Sequence, residues 1–470
     1  MENNNIVNTK VRFIDLFAGL GGIRLGFENV LRKNGYIPEC VMTSEIKTHA
    51  IKSLEKNFKH SLFKGDIFKV DNDMIPDFDF LLGGFPCQPF SSGGKRQGFL
   101  DTRGTLFFEI ERILRDKKPY GFILENVEGL VKHDTIDKNA PIGRTLKTIL
   151  YTLEELGYKV SWKVFDSLEF GLPQSRKRIF IVGTKNDKVK LNGNNPLPRK
   201  TLNDIMEKGL KTMDSPLVNL LLTQFEIKEL YGKSIKDKRG GDNNIHSWDI
   251  NLKGSVSKEQ CILMNKLFKE RRKKQWAKEI GIDWMDGMPL TLQQINTFID
   301  YPQKELKKML EDLVKKGYLR FEHPKKLVYE QTTEGIKSFR EYDITKPKGY
   351  NIVTGKLSFE INKILDPRDI APTLVATDVS RLAVPDKDGL RRLTIREGLR
   401  LFGYPEWYEI PCKEDEAFDL LGNTVAIPVV EFVASRVLDA TDVSQLSKNK
   451  IKNEDNIHQE LHQEHSMSVD

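Results

Sequence analysis

Residues 11–22 read VRFIDLFAGLGG, an apolar run that leads directly into a glycine-rich turn. The run Val11–Phe17 predicts a buried strand, and the helical spacing of apolar residues in Ile23–Leu31 predicts a helix after the turn. A strand, a glycine turn and a helix in this order are typical of the first unit of a parallel α/β sheet. Because ligands of such sheets bind beyond the carboxyl ends of the strands, the turn is the first candidate site.

The alternation of strands and helices continues to about residue 185. Apolar runs predict further strands at Cys40–Ser44, Phe78–Leu82, Gly121–Leu124, Lys159–Phe165 and Arg178–Gly183. Helical spacing predicts helices at His49–Phe58, Leu106–Leu114 and Arg144–Leu156. This rhythm predicts a doubly wound, mostly parallel α/β sheet.

Composition excludes several classes of protein. The 470 residues allow roughly two or three domains, and 39% hydrophobic with 30% charged residues excludes a disordered or collagen-like chain. No uncharged apolar run approaches the roughly 20 residues of a membrane helix, and the N-terminus lacks the apolar core of a signal peptide. A net charge of +7 is compatible with an anionic partner.

Cysteine spacing bears on compartment and metal binding. Cys40, Cys87, Cys261 and Cys412 form no CxxC pair, and no His/Cys/Asp cluster has the spacing of metal ligands. The sequence therefore predicts a cytoplasmic protein with neither a disulfide framework nor a metal site.

The strand–helix rhythm ends after Lys185, and Asn192–Pro196 has the composition of a linker. The elements predicted beyond it are helices at Thr291–Phe298 and Gln303–Lys316 and a hairpin of Tyr318–Phe321 with Leu327–Tyr329. Two helices followed by a hairpin predict a winged-helix-like piece near residues 288–330. Residues 441–470 are polar, which predicts a disordered tail.

Acidic residues follow the first turn at two successive predicted strand ends. Gly19, Gly21 and Gly22 permit close approach of a ligand to the backbone, but their spacing is not GxGxxG. Glu45 and Asp66 would suit a nucleoside without a 2′-phosphate. Two solvated acids after a helix-starting turn explain the same residues equally well from this pattern alone.

The strand Phe78–Leu82 opens into residues 83–94, GGFPCQPFSSGG, in which Cys87 stands between two prolines. Buried structural cysteines usually lie in apolar helices or strands, as predicted for Cys40 and Cys261. A glycine- and proline-rich loop instead exposes a thiol, whose thiolate is the nucleophilic form. Cys87 is therefore the candidate nucleophile.

Charged residues at two neighbouring strands could serve the same site. Glu125 ends a predicted apolar strand, which favours an inward, functional carboxyl group over a surface acid. Arg176 and Arg178 alternate at the start of another strand, so they are expected to project to the same side. They either orient an anionic or carbonyl-bearing substrate or guard a solvated sheet edge.

Taken together, these segments resemble the C5-cytosine-specific DNA methyltransferases, in particular the bacterial enzymes of restriction–modification systems. The resemblance covers nearly the whole chain apart from the variable middle and the tail. The matching segments, in the family's order, are DLFAGLGG (15–22), Glu45, GDI (65–67), GFPCQPFS (84–91), RGTLFFE (103–109), ENV (125–127), QSRKR (174–178), RRLTIREGLRLFGYP (391–405) and LGNTVAIPVV (421–430).

The resemblance implies the class I S-adenosylmethionine-dependent methyltransferase fold. It places a catalytic and cofactor-binding domain at residues 1–188, a target-recognition lobe at 189–390, and a return segment at 391–440 that completes the catalytic domain.

It also implies methyl transfer from S-adenosylmethionine to C5 of a cytosine flipped out of a specific double-stranded DNA site. Cys87 would add to C6, and Glu125 would hold or protonate the N3 edge. Arg178 would bind the O2 side, and Arg176 would help to position the loop and the ring. The sequence does not identify the base that removes the C5 proton.

The implied cofactor contacts are Phe17, Gly19, Gly21, Gly22, Glu45, Ile46, Asp66, Ile67, Pro86, Leu106, Asn423 and Val425. Glu45 would bind the ribose hydroxyls and Asp66 the adenine amino group. Ile46 departs from the family, in which many members carry an aromatic residue beside the adenine, although an aliphatic side chain can still pack there.

The candidate DNA contacts are Ser91, Lys95, Arg96, Arg239, Arg271, Arg272, Lys273 and Lys274. Lys95 and Arg96 lie in Gly93–Gly98, a candidate lid. The basic run Lys266–Lys278 suits phosphates, although most such runs are solvated helix faces. Residues 239–248, RGGDNNIHSW, have groups that can bond to base edges, which favours a base-reading loop. A structural turn explains this composition almost as well. His246 is expected to be an ordinary hydrogen-bonding histidine and not a ligand.

Two other functions compete with DNA methylation. The same chemistry on RNA is disfavoured by the large variable lobe, which a duplex reader needs. A non-enzymatic DNA-binding regulator would leave the nucleophile loop and the cofactor turn without a purpose. The resemblance further implies a monomer, no membrane association, and functional pairing with a restriction endonuclease.

Overall fold

The computed structural model describes residues 9–60, 62–85, 106–135, 137, 139–237, 243–332, 335–353, 359–375 and 379–441. The chain divides into two compact units. The first unit comprises Met1–Glu207, Asp366–Ser380 and Leu393–Asp470, and the second comprises Lys208–Leu365 and Arg381–Arg392. Residues 189–207 and 366–380 thus lie with the first unit, whereas the sequence placed them in the lobe.

The strands within the described residues are β1 (Lys10–Leu16), β2 (Ile37–Ser44), β3 (Phe63–Lys64), β4 (Phe80–Gly84), β5 (Gly121–Val127), β6 (Lys159–Asp166), β7 (Lys177–Thr184), β8 (Ser234–Ile235), β9 (Asn244–Ile245), β10 (Leu319–Glu322), β11 (Lys325–Thr332), β12 (Gly335–Tyr342), β13 (Gly349–Ile352), β14 (Lys363–Ile364), β15 (Leu382–Asp386) and β16 (Gly389–Arg392). The α-helices are α1 (Gly22–Lys33), α2 (Thr48–Asn57), α3 (Leu106–Lys117), α4 (Arg144–Glu155), α5 (Pro216–Gln224), α6 (Lys258–Glu270), α7 (Lys274–Glu279), α8 (Leu292–Asn296), α9 (Gln303–Lys315), α10 (Ile395–Leu401), α11 (Glu414–Asn423) and α12 (Ile427–Asp439).

The first unit is built on a seven-stranded sheet in the order β3-β2-β1-β4-β5-β7-β6. Strands β1 to β5 pair in parallel, and β7 is antiparallel to both β5 and β6. The predicted doubly wound, mostly parallel α/β sheet is therefore confirmed. The strand order reverses between β1 and β4, so the turn after β1 and the loop after β4 begin side by side at the switch point where such sheets bind ligands.

Alternation along β1 divides the core into two layers. Phe13 packs in one hydrophobic cluster with residues of α1 and α12, whereas Ile14 and Leu16 pack in the other with residues of α3 and α4. The contact between α1 and α12 is close, because a Cβ on Gly26 would lie 2.7 Å from Val430 Cγ1. The C-terminal helices thus cover the same sheet as the N-terminal ones.

The stretch Glu414–Asp439 has the length and mean hydropathy, 1.5, of a membrane span, but 72% of its apolar window is buried inside the protein. It consists of α11 and α12, interrupted at residues 424–426. Core helices of soluble proteins commonly meet the same criteria, and this stretch packs as one.

The second unit contains a five-stranded sheet in the order β16-β15-β14-β8-β9 and two separate two-stranded ribbons. The predicted helices near 291–316 are present as α8 and α9, but the predicted hairpin is wrong. β10 pairs with β13, because Leu319 and its partner Ile352 are both buried in the core of this unit. β11 pairs instead with β12, which follows it directly.

Candidate active site

The turn after β1 is held against the end of β2 by the buried side chain of Glu45. The N–H of Gly19 donates to Glu45 Oε2 at 2.8 Å. The N–H groups of Ile46 and Lys47 donate to Oε1 at 2.7 and 2.9 Å. Glu45 is therefore a fixed carboxylate at the turn and not a solvated surface acid.

Asp66 follows the neighbouring strand β3. Ser44 Oγ donates to Gly65 O at 2.8 Å, which fixes this strand end beside Glu45. Asp66 Oδ1 accepts from Phe68 N at 3.1 Å and caps a short 3-10 turn. The structure thus brings the two predicted acids to the same sheet edge.

Apolar groups flank these acids. Ile46 is 71% exposed directly after Glu45, so its side chain is accessible to a ligand. Phe17 has φ of 56°, a left-handed conformation that is uncommon outside glycine. Phe17, Ile67 and Leu106 belong to one hydrophobic cluster.

The return segment reaches the same turn from the other side. A Cβ on Gly22 would lie 2.8 Å from Val425 Cγ2 and 2.7 Å from Tyr404 Oη, so only glycine fits there. Asn423, exposed at the end of α11, donates to Asp419 O at 2.8 Å. Val425 therefore packs against the glycine turn, whereas Asn423 is exposed.

Two buried tyrosines that the sequence analysis did not single out support the turn. Tyr408 Oη donates to Leu20 O at 2.5 Å, and Tyr404 Oη lies 2.6 Å from Thr424 Oγ1. Their ring centroids are 4.6 Å apart. Tyr404 lies within the segment 391–405, and the only available signal was that segment's match to the family.

Asp15 is a further residue that the sequence analysis did not single out. Its side chain is 1% exposed, and no hydrogen-bond donor among the described residues reaches Oδ2. Burial raises the pKa of Asp15 to about 7, although the positive charge of Arg24 offsets part of the rise. A buried carboxyl oxygen that lacks a donor among the described residues is suited to a cationic ligand group.

Glu125 and Arg178 form an ion pair at the end of β5. Arg178 Nε lies 3.1 Å from Glu125 Oε1, and both side chains are largely buried. A Cβ on Gly84 would lie 3.5 Å from Glu125 Oε2, so the carboxyl group lies beside the end of β4. Burial raises the pKa of Glu125, and the charges of Arg178 and Arg176 oppose that rise.

The Arg176 side chain bonds to backbone carbonyl groups and not to Glu125. Its guanidinium is buried and donates from Nη1 to Leu374 O at 2.8 Å and from Nη2 to Gly422 O at 3.0 Å. Burial lowers the pKa of Arg176 to about 9, which leaves it charged at neutral pH. Because these donors bond to backbone carbonyls, Arg176 holds surrounding segments in place.

The loop that carries the candidate nucleophile starts from a fixed point. Asn126 Nδ2 donates to Phe85 O at 2.9 Å, which ties the last described residue of this loop to β5. Asn126 was quoted only within the ENV motif, so its tethering role was missed. The predicted site residues Pro86, Cys87, Ser91, Lys95, Arg96 and Arg239 lie outside the described residues.

Residues 11–439 match the family model of C-5 cytosine-specific DNA methylases. The chain belongs to this family. It is 56% identical over 429 residues to Type II methyltransferase M.NlaIV of Neisseria lactamica, covering 91% of this chain and 99% of that protein. It is also 56% identical over 430 residues to M.NgoBV of Neisseria gonorrhoeae, with the same two coverages. M.BanI of Aneurinibacillus aneurinilyticus is 40% identical over 455 residues, which cover 90% of this chain and 95% of that protein.

The family predicted from the sequence is confirmed, and the enzyme is a C5-cytosine DNA methyltransferase of the type II restriction–modification kind. The alternative of a non-enzymatic regulator is thereby excluded.

One predicted DNA contact of this methyltransferase is wrong. Arg271 is 4% exposed, and its Nη1 donates to Asn351 Oδ1 at 2.5 Å. Arg271 ends α6 and turns into the core, where a Cβ on Gly287 would lie 3.0 Å from its guanidinium. A side chain held in this way cannot contact a phosphate at the surface.

The lysines of the basic run are exposed, whereas Arg272 is partly buried. The run is not one helix, because residues 271–273 separate α6 from α7. Arg272 lies over the ring of Phe268 at 4.3 Å and pairs with Asp286 at 3.3 Å. Lys273 and Lys274 are exposed, so they stay candidate phosphate contacts of the methyltransferase.

The C-terminal half of the predicted base-reading loop is core. Trp248 is 1% exposed, and Ile245 and Ser247 are also buried. His246 Nδ1 lies 2.9 Å from Lys236 O, which confirms an ordinary hydrogen-bonded histidine. These residues cannot reach base edges, and residues 238–242 lie outside the described part of the chain.

Proposed function

We propose that the enzyme transfers the methyl group of S-adenosylmethionine to C5 of a cytosine flipped out of double-stranded DNA, by way of a covalent bond between Cys87 and C6. The observation that carries this proposal is the buried Glu125–Arg178 pair beside the end of β4, from which the Cys87 loop departs. An acid with a raised pKa next to a fixed guanidinium matches the edge of a pyrimidine that gains charge during the reaction.

The residues around the glycine turn fit S-adenosylmethionine. Glu45 and Asp66 offer carboxylate oxygens to ribose hydroxyls and to the adenine amino group, and exposed Ile46 offers an apolar face. Asp15 Oδ2, which lacks a donor among the described residues, suits the positive charge of the methionine part. When bound, the cofactor supplies an electrophilic methyl group.

The protein's own groups would act in sequence on the cytosine. The Cys87 thiolate adds to C6, while Glu125 donates a proton to N3 and Arg178 binds O2. C5 thereby becomes enamine-like and accepts the methyl group. Loss of the C5 proton to a base then expels the Cys87 thiolate, and return of the N3 proton to Glu125 restores the neutral ring and the acid. Arg176 positions the surrounding backbone throughout.

The second unit is proposed to be the lobe that recognises the DNA site. We further infer that the enzyme acts as a cytoplasmic monomer, and that it protects host DNA from a paired restriction endonuclease without forming a complex with it.

Labelled S-adenosylmethionine tests this function directly. We expect label in double-stranded DNA and none in tRNA, and bisulfite sequencing of a plasmid that carries the gene should show 5-methylcytosine within one short sequence. Incorporation into tRNA alone would contradict the proposed substrate and support the RNA-modifying alternative. A modified base other than cytosine would contradict the proposed reaction.

Asp15→Asn tests the cofactor site. In the ligand-free wild-type protein the contribution of Asp15 to stability is fully present below about pH 4 and is lost as pH rises through about 7, because the buried carboxyl group must then ionise. A shift of that size corresponds to about 4 kcal/mol. The ligand-free variant should therefore unfold at higher denaturant concentration than wild type above pH 7, and it should bind S-adenosylmethionine more weakly.

Calorimetric titrations between pH 6 and 8 complete this test. Wild-type affinity should rise as Asp15 ionises, whereas the affinity of Asp15→Asn should lack that rise. Glu39→Gln, which alters a partly exposed acid on β2, is the matched control and should behave like wild type. Equal pH profiles for Asp15→Asn and wild type would refute a role for Asp15 in binding.

A further inference from the structure

The ribbon of β11 and β12 stands apart from the other sheets of the second unit. It pairs from Lys325 opposite Tyr342 to Thr332 opposite Gly335, and no other described strand joins it. Each strand is about 26 Å long at about 3.3 Å per residue. The backbone groups at the ribbon's two outer edges are therefore not paired with another described strand.

The two faces of the ribbon differ in charge. Side chains alternate along each strand, and the tyrosine face carries Lys325, Leu327, Tyr329, Gln331, Ser338, Arg340 and Tyr342. The paired face carries Lys326, Val328, Glu330, Lys337, Phe339 and Glu341. On the paired face, Lys326 Nζ lies 3.2 Å from Glu341 Oε1, and Glu330 is opposite Lys337. The described charges of the tyrosine face are all positive, whereas those of the paired face are balanced.

The tyrosine face is open to solvent at the end of the ribbon that is farther from the Lys325–Tyr342 pair. Tyr329 is 68% exposed, and Gln331 and Ser338 are exposed beside it. Nearer the base, Tyr342 Oη donates to Glu322 Oε2 at 2.9 Å and is held within the unit. The free end therefore presents a phenol, an amide and a hydroxyl, all of which form hydrogen bonds.

Hydrogen bonds join the ribbon to the basic residues Arg272–Lys274. Arg340 Nη2 donates to Trp284 O at 3.1 Å, and Trp284 Nε1 donates to Arg272 O at 3.0 Å. Lys273 and Lys274, both exposed, follow directly. The tyrosine face and these two lysines are thus linked through a short chain of hydrogen bonds in one unit.

We propose that the tyrosine face reads base edges of the substrate DNA in the major groove, while Lys273 and Lys274 contact flanking phosphates. The proposal rests on the second unit being the recognition lobe. The major groove, about 12 Å wide, admits a two-stranded ribbon, and amide, hydroxyl and phenol groups can bond to base edges there. A face with only positive charge complements DNA, whereas the balanced paired face gains nothing from it.

Binding to two duplexes tests the proposal. One duplex contains the methylated sequence found by bisulfite sequencing, and the other has the same composition in scrambled order. Tyr329→Ala and Gln331→Ala should each lose about 10-fold in affinity for the first duplex and at most about 2-fold for the second. Lys274→Ala should weaken binding to both duplexes alike and reduce the slope of log affinity against log salt by about 1.

Phe339→Ala, which removes an exposed aromatic ring from the paired face, is the matched control and should bind both duplexes like wild type. Denaturant unfolding should show that all variants remain folded. The ribbon proposal is overturned if Tyr329→Ala and Gln331→Ala bind the specific duplex as wild type does. It is equally overturned if wild type runs as a dimer on gel filtration while Tyr329→Ala runs as a monomer and binds DNA as wild type does. If the wild-type enzyme itself does not distinguish the duplexes, the recognition role of the second unit fails instead.

Discussion

Cys87→Ala is expected to abolish methyl transfer while the enzyme still binds its DNA site. Without the sulfur no covalent bond to C6 forms, so C5 stays too weak a nucleophile to accept the methyl group, and we expect turnover to fall on the order of 10⁴-fold or more. Transfer of labelled methyl groups to a specific duplex measures the loss, and anisotropy of the same duplex measures binding.

Cys412→Ala provides the matched control, because Cys412 is a partly buried free thiol in the first unit that no proposed step uses. It should retain wild-type turnover. A duplex with 5-fluorocytosine at the target should form a covalent complex with wild type and with Cys412→Ala but not with Cys87→Ala. Substantial turnover by Cys87→Ala would refute the covalent mechanism, even if the roles proposed for the other residues are correct.

The catalytic sheet was predictable because its strands are buried on both faces. Such strands appear as continuous apolar runs, and the predicted strand at Val11–Phe17 differs from β1 by one residue at each end. The candidate site followed from the same rule, since Glu45 and Glu125 both stand where an apolar run ends. Because strand ends meet at one edge of such a sheet, Glu45 was expected to lie close to the glycine turn. The hydrogen bond from Gly19 to Glu45 shows that it does.

The second unit was less predictable, because its structure depends on contacts between distant segments. Arg271 and Lys274 are basic residues of the same run, and the sequence does not distinguish them. Arg271 is nevertheless buried, and it donates to Asn351, which lies 80 residues away in the chain. Strands of two residues such as β8 and β14 leave no periodic signal. The pairing of β10 with β13 depends on which residues fill the core, and local turn patterns do not record that.

Glu125→Gln is expected to lower turnover about 10²–10⁴-fold with DNA binding retained, because an amide keeps the size of the side chain but cannot transfer a proton to N3. Burial raises the pKa of Glu125, so the protonated acid persists to higher pH than in water and is lost as pH rises through that pKa. Wild-type turnover should therefore decline on the alkaline side of this transition, and the pH–rate profile of Glu125→Gln should lack that decline.

Glu128→Gln separates this role from a general effect of charge. Glu128 follows Glu125 by three residues but is about half exposed, and its only described ion pair is a 3.9 Å contact with Lys177. The same change there should leave turnover and the pH profile as in wild type. Wild-type turnover in Glu125→Gln, or an unchanged alkaline decline, would show that the acid does not act on the ring, and the Glu125–Arg178 pair would then only join β5 to β7.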